Sequence, residues 1–382
     1  MKIIFTVDTY YPMKDGVQAV TQYHAEGLAR KGYDVTVITT KNDSSVVTEV
    51  HNGVSIVRVN ARTKHSMYFG DKKEYRDLII KETNDSIALI NVCTQVPLTD
   101  WLFPMLRGIK CKKILYVHGM FDKRFHRWDF DGIKVFSHKV WNNIRWGLYY
   151  NFIGKYVRQY DTVVQLHCFD LANIFFQRKY RINSFQIGNA AEDVFFAEIE
   201  KHTPSIINPH IVYVANYMER KNQERALRVF YKANLPLNVG LVFVGSEKNS
   251  YYERLLDTKR KLDIEYGARE VSFLYNLSRE ETVKIIKSAV INLMTSRWEA
   301  FPVSILEGLA AGVPFISTDV GCVRFLPGGM IAYSDDDFAY LITMFMRNDG
   351  MRASLGKTGY EYACMSARRE FVTNQLEQLI LK

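Results

Sequence analysis

Two glutamates, Glu299 and Glu307, with seven residues between them, mark the stretch of chain best suited to chemistry: EAFPVSILEGLAAGVPFISTDVG, residues 299–321. The apolar run Val290–Met294 before it reads as a strand, so Thr295–Ala300 is expected to form the loop beyond that strand. Phe301-Pro302 then opens a helix, because proline in a first turn gives up only an amide that would lack a partner anyway. The amides of Val303 and Ser304 would be left unpaired, and a helix N-terminus of this kind favours a phosphate or diphosphate. Two carboxylates beside it are poor phosphate ligands, since like charges repel. They are good acceptors for hydroxyls that flank phosphates, one set on a sugar and one on a ribose. Gly308, Ala310, Ala311 and Gly312 are small enough to let the helix lie close to its sheet, and Gly312-Val313-Pro314 ends it. The same spacing also suits a surface helix carrying two solvated glutamates.

The elements that would position this stretch alternate between strand and helix along the whole chain. Strands are expected at Lys2–Val7, Val35–Ile38, Val54–Val59, Ile87–Asn91, Ile114–Val117 and Thr162–Gln165, with helices such as Ala19–Lys31, Lys72–Lys81 and Val140–Tyr160 between them. After Gly188-Asn189 comes an acidic segment and then His202–Pro209, with two prolines and no periodicity, which reads as a linker. A second alternation follows: strands at Ile211–Ala215, Val239–Val244, Val271–Leu274, Ile291–Met294 and Pro314–Ser317, and helices at Gln223–Ala233, Tyr251–Leu262, Arg279–Ala289 and Val303–Ala311. Strand, helix, strand in series implies parallel pairing by right-handed crossovers. The expected fold is α/β: two doubly wound Rossmann-like domains facing across a cleft, since ligands of such sheets bind beyond the strand C-terminal ends. Residues 1–188 form the first domain, 189–208 the linker and 209–365 the second. Residues 366–382 form a last helix that packs back on the first domain, with a hinge near Ser366.

Composition bounds the rest. The chain has 382 residues, 47% hydrophobic and 24% charged, as folded proteins do, and carries a formal charge of +9. The excess is local: residues 101–160 hold 12 Lys or Arg against three Asp and no Glu, with 15 interleaved aromatic residues. That stretch suits an anionic membrane surface or a solvated basic face over an aromatic core, and nucleic acid is not an expected partner. Five scattered cysteines without a CxxC pair argue against a disulfide framework or a structural zinc, and fit a reducing compartment. No apolar run approaches a membrane-spanning length, and MKIIFTV reads as a strand, not a signal peptide. A cytoplasmic location, at most at the inner face of a membrane, is expected.

The pattern E-x-F-P-x-x-x-x-E-x-x-A-x-G-x-P over residues 299–314 resembles the signature of retaining glycosyltransferases of family 4, which have the GT-B fold. YYPMKDGVQAV with LARKGYDVTVIT, Val117-His118-Gly119, Ile187-Gly188-Asn189, Val212–Ala233 and Val244-Gly245 are similar to further parts of that family's pattern, so the resemblance spans nearly the whole chain. It implies that Gly16 lets the backbone approach the donor, that His118 reaches the transferred sugar, and that Lys221 neutralises the diphosphate. It implies that Glu299 holds sugar hydroxyls with the amides of Phe301, Pro302's neighbourhood and Val303, that Glu307 holds the ribose, and that backbone near Leu274-Tyr275 meets the base. The family usually has two glycines where this chain has Asp15-Gly16, and a basic residue where it has Asn216; Arg220 or Arg324 would have to supply that charge.

The implied reaction moves a sugar from a UDP- or GDP-linked donor to an acceptor hydroxyl with retained configuration, without a metal or other cofactor, in surface polysaccharide or glycoconjugate assembly. The acceptor, a glycan or a lipid-linked one, would meet Gln18, Arg62 within the segment Arg58–Phe69, and the Phe121–Asp131 region. Peripheral membrane contact would run through 101–160. Asp129-Phe130-Asp131 matches a metal-binding triplet of another fold but reads as a surface loop, and Asp335-Asp336-Asp337 as the first turn of a helix. A nucleotide-sugar epimerase of the same architecture and a non-catalytic nucleotide-sugar-binding subunit are the alternatives.

Overall fold

The computed structural model describes residues 1–13, 15–41, 47–64, 67–197 and 209–382, with the side chains of 127 and 128 outside that description. The expected linker lies outside the described residues from 198 to 208, as do 65–66 in the Arg58–Phe69 segment. The described residues divide into two compact units, Met1–Ile187 with Thr373–Lys382, and Gly188–Val372.

The first unit is built on strands β1 (Lys2–Val7), β2 (Asp34–Thr40), β3 (Thr48–His51), β4 (Val54–Val59), β7 (Ser86–Val92), β8 (Lys112–Val117), β9 (Thr162–Gln165) and β10 (Phe185–Gln186), with a separate ribbon of β5 (Ala61–Lys64) and β6 (Met67–Gly70). The sheet order is β10-β9-β8-β7-β1-β2-β4-β3, parallel except for β3 on β4. Its central strands are buried at consecutive residues and mostly apolar, as strands covered on both faces are. One polar tie crosses that core: Asn91 donates to Thr6 Oγ1 at 2.6 Å and accepts from the Tyr160 hydroxyl at 2.8 Å. Thr373–Lys382 complete the unit: Lys31 Nζ donates to Asn374 at 2.5 Å and pairs with Glu377, while Thr373 lies over Gly27.

Two expectations for residues 121–160 are corrected. The long helix spans Ile133–Val157, starting seven residues before Val140, and buries only Tyr150, Ile153, Gly154 and Val157. Its first turns bury nothing, so no apolar period announces them. Asp129 is not a solvated loop residue: it is buried, accepts the His126 amide at 2.7 Å and has Lys139 Nζ at 3.8 Å.

The second unit is a six-stranded parallel sheet of β11 (His210–Val214), β12 (Gly240–Gly245), β13 (Val271–Tyr275), β14 (Ile291–Met294), β15 (Phe315–Ser317) and β16 (Gly329–Ile331), in the order β13-β12-β11-β14-β15-β16. The order reverses direction between β11 and β14, which makes their C-terminal ends the topological switch point. Asp335–Asp337 begin the helix Asp335–Arg347, where Ser334 and Asp337 form a capping box.

A buried carboxyl in the first unit gives the fold a measurable pH signature. Asp100 accepts from the hydroxyls of Tyr68 and Tyr149, each at 2.7 Å, yet burial pushes its pKa up to about 7. A carboxyl raised in this way contributes stability that is fully present below its unfolded value near 4 and is lost as pH rises through 7. Asp100→Asn removes that slope, so urea unfolding at pH 5 and pH 8 is expected to show the variant gaining roughly 2–3 kcal/mol on the parent at the higher pH. Parallel pH profiles for the two proteins would contradict the assignment.

Candidate active site

Parallel strands deliver their following loops to one edge of the second sheet, and at the switch point two of them meet. β11 leads through Asn216 into the short turn Glu219–Lys221, and β14 leads into the loop 295–302. Three backbone-directed ties lock these segments together. The Arg297 amide donates to the Arg220 carbonyl at 2.8 Å, and Thr295 Oγ1 donates to the Asn222 carbonyl at 2.8 Å. The buried Tyr213 hydroxyl, rising from β11, donates to the Lys221 carbonyl and accepts the Thr295 amide at 3.3 Å. Between the locked segments Lys221 Nζ meets Glu299 Oε1 at 2.5 Å, with side-chain exposures of 18% and 8%. The loop after β15 presses on the same backbone: Gly321 has φ +55°, and a methyl built on it would stand 2.2 Å from the Ala300 carbonyl oxygen. Only glycine lets this strand end approach Glu299 so closely.

The helix Val303–Ala310 follows directly. Pro302 is its N-cap residue and, among the described residues, no side chain caps its first turn, which leaves the helix's N-terminal dipole without a side-chain acceptor there. The helix lies tight on the sheet because Gly308 has no side chain: a methyl there would stand 2.4 Å from Asn292 Nδ2, which donates to the Ser304 carbonyl at 2.8 Å. Phe301 is held from the other side, its carbonyl accepting from Asn189 Nδ2 at 2.7 Å. Glu307 is buried and is paired with Arg279, whose Nε also donates to Glu192 at 3.0 Å; Arg369 closes the chain on Glu192 at 2.7 Å. Burial pushes the Glu307 carboxyl up, with Arg279 working against it. Burial acts on Glu192 too, but two arginines outweigh it and hold that carboxyl below its ordinary range.

The remaining sequence-derived residues fall into separate places. Asn216 and Arg220 are exposed on the β11 loop; the Asn216 carbonyl accepts from Gln223 at 3.0 Å, and the Arg220 guanidinium lies 5.3 Å over the Trp298 ring. Arg324 is paired with Asp319. Tyr275, at the end of β13, is exposed with Lys248 Nζ 4.7 Å over its ring, and the Leu274 carbonyl accepts the Tyr217 hydroxyl at 2.8 Å. In the first unit Gly16 opens the helix Gly16–Arg30, and a methyl there would meet nothing within 4 Å. Asp15 caps that helix, accepting the Gln18 amide at 2.8 Å and the Thr9 hydroxyl. The Gln18 side chain is buried and donates to Gln22 at 2.5 Å, whereas Arg62 is exposed on β5. His118, at the end of β8, stacks on Tyr116 at 4.5 Å; its Nε2 is buried without a partner among the described residues, and burial pushes its pKa down to about 3. Among the described residues no three His, Cys, Asp or Glu side chains gather as a metal-holding group.

Tyr213, Gly321 and Arg279 were not singled out from the sequence. Tyr213 sits in an apolar strand pattern that hides its hydroxyl, and Arg279 is 28 positions from the carboxylate it meets. Because Tyr213 joins the two segments that carry Lys221 and Glu299, Tyr213→Phe leaves the Lys221 carbonyl and the Thr295 amide short of a partner. The variant is expected to lose about 1–3 kcal/mol in urea unfolding; a variant with unchanged stability would show that the tie is not what holds the two loops together.

Comparison with known proteins bears on both units. A family model described as glycosyl transferases group 1 matches residues 197–362, and one described as Glycosyltransferase Family 4 matches residues 14–164. Human GDP-Man:Man(3)GlcNAc(2)-PP-Dol alpha-1,2-mannosyltransferase is 25% identical over 184 residues, 42% of this chain and 37% of that protein, and the mouse protein is 27% identical over 134 residues, 33% and 27%. The matched stretch is thus well under half the length of these curated relatives. Sucrose-phosphate synthase from Thermosynechococcus elongatus superposes with TM-score 0.74 at 16% identity, covering 99% of this chain and 98% of that one. Anabaena HepE, solved with UDP and glucose, gives 0.73 at 13% identity, covering 100% and 99%. At such identities the structures speak for the fold, and the two family models speak for descent: the chain belongs to the group 1 glycosyltransferases of family 4 and has their GT-B fold of two Rossmann-like domains.

Proposed function

We propose that this glycosyltransferase takes its sugar from a nucleoside diphosphate donor and transfers it to an acceptor hydroxyl with retention of configuration and without a metal. The observation that carries the reading is the Lys221–Glu299 pair at the switch point, one step before a helix whose first turn no side chain caps. A diphosphate is the ligand that both a lysine and such a helix end attract. On binding, Lys221 would leave Glu299 for the diphosphate and free the carboxylate for the sugar's hydroxyls. Glu307 would accept the ribose hydroxyls in competition with Arg279, and the end of β13 near Tyr275 would meet the base. Gly16 and His118 belong to the same proposal, as close approach to the donor and as a contact to the transferred sugar; Arg62 is proposed for the acceptor, with Gln18 as a contact that would have to leave Gln22.

The chemistry needs no covalent enzyme intermediate. The bond from the anomeric carbon to the phosphate oxygen breaks, the bond to the acceptor oxygen forms on the same face, and the leaving phosphate takes the acceptor's proton. Lys221 and the helix amides would stabilise the charge that develops on the diphosphate, so positioning and electrostatics supply the acceleration. HepE's bound UDP and the GDP-linked donor in the mannosyltransferases' name support a UDP- or GDP-linked sugar. The lipid-linked oligosaccharide in that name supports a glycan or lipid-linked acceptor, and with it a place in polysaccharide or glycoconjugate assembly.

The test is to offer the chain a panel of UDP- and GDP-linked sugars with glycan and lipid-linked acceptors, following nucleoside diphosphate release and product anomer by NMR. A retained linkage is expected, unchanged by EDTA. Lys221→Ala should cost about 10²–10³-fold in turnover in a protein that still folds, and no inflection from His118 should appear between pH 5 and 8, since that imidazole stays neutral throughout. An epimerised nucleotide sugar without acceptor, inverted product, or donor binding with no release under any acceptor would each refute the proposal.

A further inference from the structure

The helix Ile133–Val157 buries side chains at one end only, while Lys139 Nζ and Asn143 Nδ2 tie its first half to the carbonyls of Asp122 at 2.7 Å and Lys123 at 2.9 Å. Its last two turns are buried through Tyr150, Ile153, Gly154 and Val157, and Gly154 lets the Tyr180 ring lie where a methyl would stand 2.7 Å from Cε1. The other faces and turns of the helix carry large apolar side chains into solvent: Ile133 is 90% exposed, Trp141 62%, Leu148 67%, with Ile144 and Phe152 exposed as well. At 100° per residue these five positions fall within about 100° of arc along about 30 Å of helix. Lys134, Ser137, Asn151 and Lys155 fall in the same arc, so the apolar stripe is unbroken from Trp141 to Leu148 and has polar neighbours at either end. At its N-terminal end the stripe is extended by Phe125, Phe130 and Phe136, whose rings pack on one another at 5.5–5.9 Å while remaining exposed.

The helix's own charged side chains have one sign. The 25-residue helix contains no Asp or Glu, and carries Lys134, Lys139, Arg145 and Lys155. Lys155 lies within the apolar arc with its Nζ 4.3 Å over the Phe152 ring, and the Arg145 guanidinium lies 4.2 Å over Trp146, so both cations rest on aromatic faces of the helix. Of the three aspartates before the helix, Asp122 and Asp129 are buried among Arg124, His126 and Lys139, which leaves Asp131 as the exposed one.

We propose that this face docks on an anionic lipid bilayer, the helix lying in the plane of the interface with Trp141, Ile144, Leu148 and Phe152 among the acyl chains and Lys134, Arg145 and Lys155 among the headgroups. Aromatic and aliphatic residues on one side and cations at its border are what an interfacial helix requires. A second copy of the chain is the poorer occupant, because a two-fold contact would set this all-cationic helix against itself. No helix among the described residues is long and apolar enough to cross a membrane, so the contact is peripheral.

Flotation of the full chain with phosphatidylcholine vesicles, with and without phosphatidylglycerol, tests this without any sugar transfer, so it stands or falls apart from the reading of the active site. Binding about tenfold or more tighter to the anionic vesicles is expected, falling with added salt. Trp141→Ser with Leu148→Ser should abolish it without changing the melting temperature, since both side chains are exposed, and Lys134→Glu with Lys155→Glu should erase the lipid preference. No binding to either vesicle, equal binding to both, or a concentration-dependent dimer in sedimentation that the Trp141/Leu148 variant abolishes would overturn the proposal, the last assigning the face to a second copy.

Discussion

A parallel sheet brings every strand's C-terminal end to one edge, and where the strand order reverses, two neighbouring loops leave in opposite directions. In the second unit that point lies between β11 and β14, and the chain places a lysine on one loop and a glutamate on the other. Everything near them is arranged to keep those two loops in fixed register. Tyr213, Thr295 and the Arg220–Arg297 backbone contact tie the loops to each other, and Gly321 lets the next strand end close on the Glu299 backbone. The Lys221–Glu299 contact is a consequence of that scaffold. The pair is partly buried, so leaving either partner alone carries a desolvation cost that the intact contact offsets.

The same logic extends along the helix that follows. Glu307 is buried against the counterion Arg279; Glu192 shares that arginine, and Arg369 in turn pairs with Glu192. Both carboxylates of the signature stretch are therefore already matched with cations. A ligand that offers a diphosphate and hydroxyls would exchange partners with these pairs rather than fill bare charges, so binding would reorganise contacts whose geometry is already set.

Much of this was legible in the residues. The α/β class, the strand positions of both units and the helix opening after Pro302 follow from apolar runs, their spacing and proline's tolerance of a first turn. Short edge elements were not, because β3, β5, β6, β10 and β16 have two to four residues and too little pattern to read. The start of the helix at Ile133 was hidden for a related reason: its first turns bury nothing, so they show no period. The partners of Glu299 and Glu307 were beyond reach, since Lys221, in a short turn, and Arg279, at the start of a helix, lie 78 and 28 positions away. Asp15 was visible as a departure from two glycines, but its role as the cap of the helix Gly16–Arg30 appears only with coordinates. Likewise the Leu274 carbonyl, read as a contact for a base, is engaged by Tyr217 from another strand's loop.

If donor binding draws Lys221 away from Glu299, the carboxylate competes with the diphosphate for the lysine. Calorimetry of UDP and GDP, without their sugars, on the parent protein and on Glu299→Gln measures that competition directly. The account predicts that the variant binds the bare nucleoside diphosphate severalfold more tightly, because the lysine no longer has to be released from its partner. Equal or weaker binding by Glu299→Gln would contradict it.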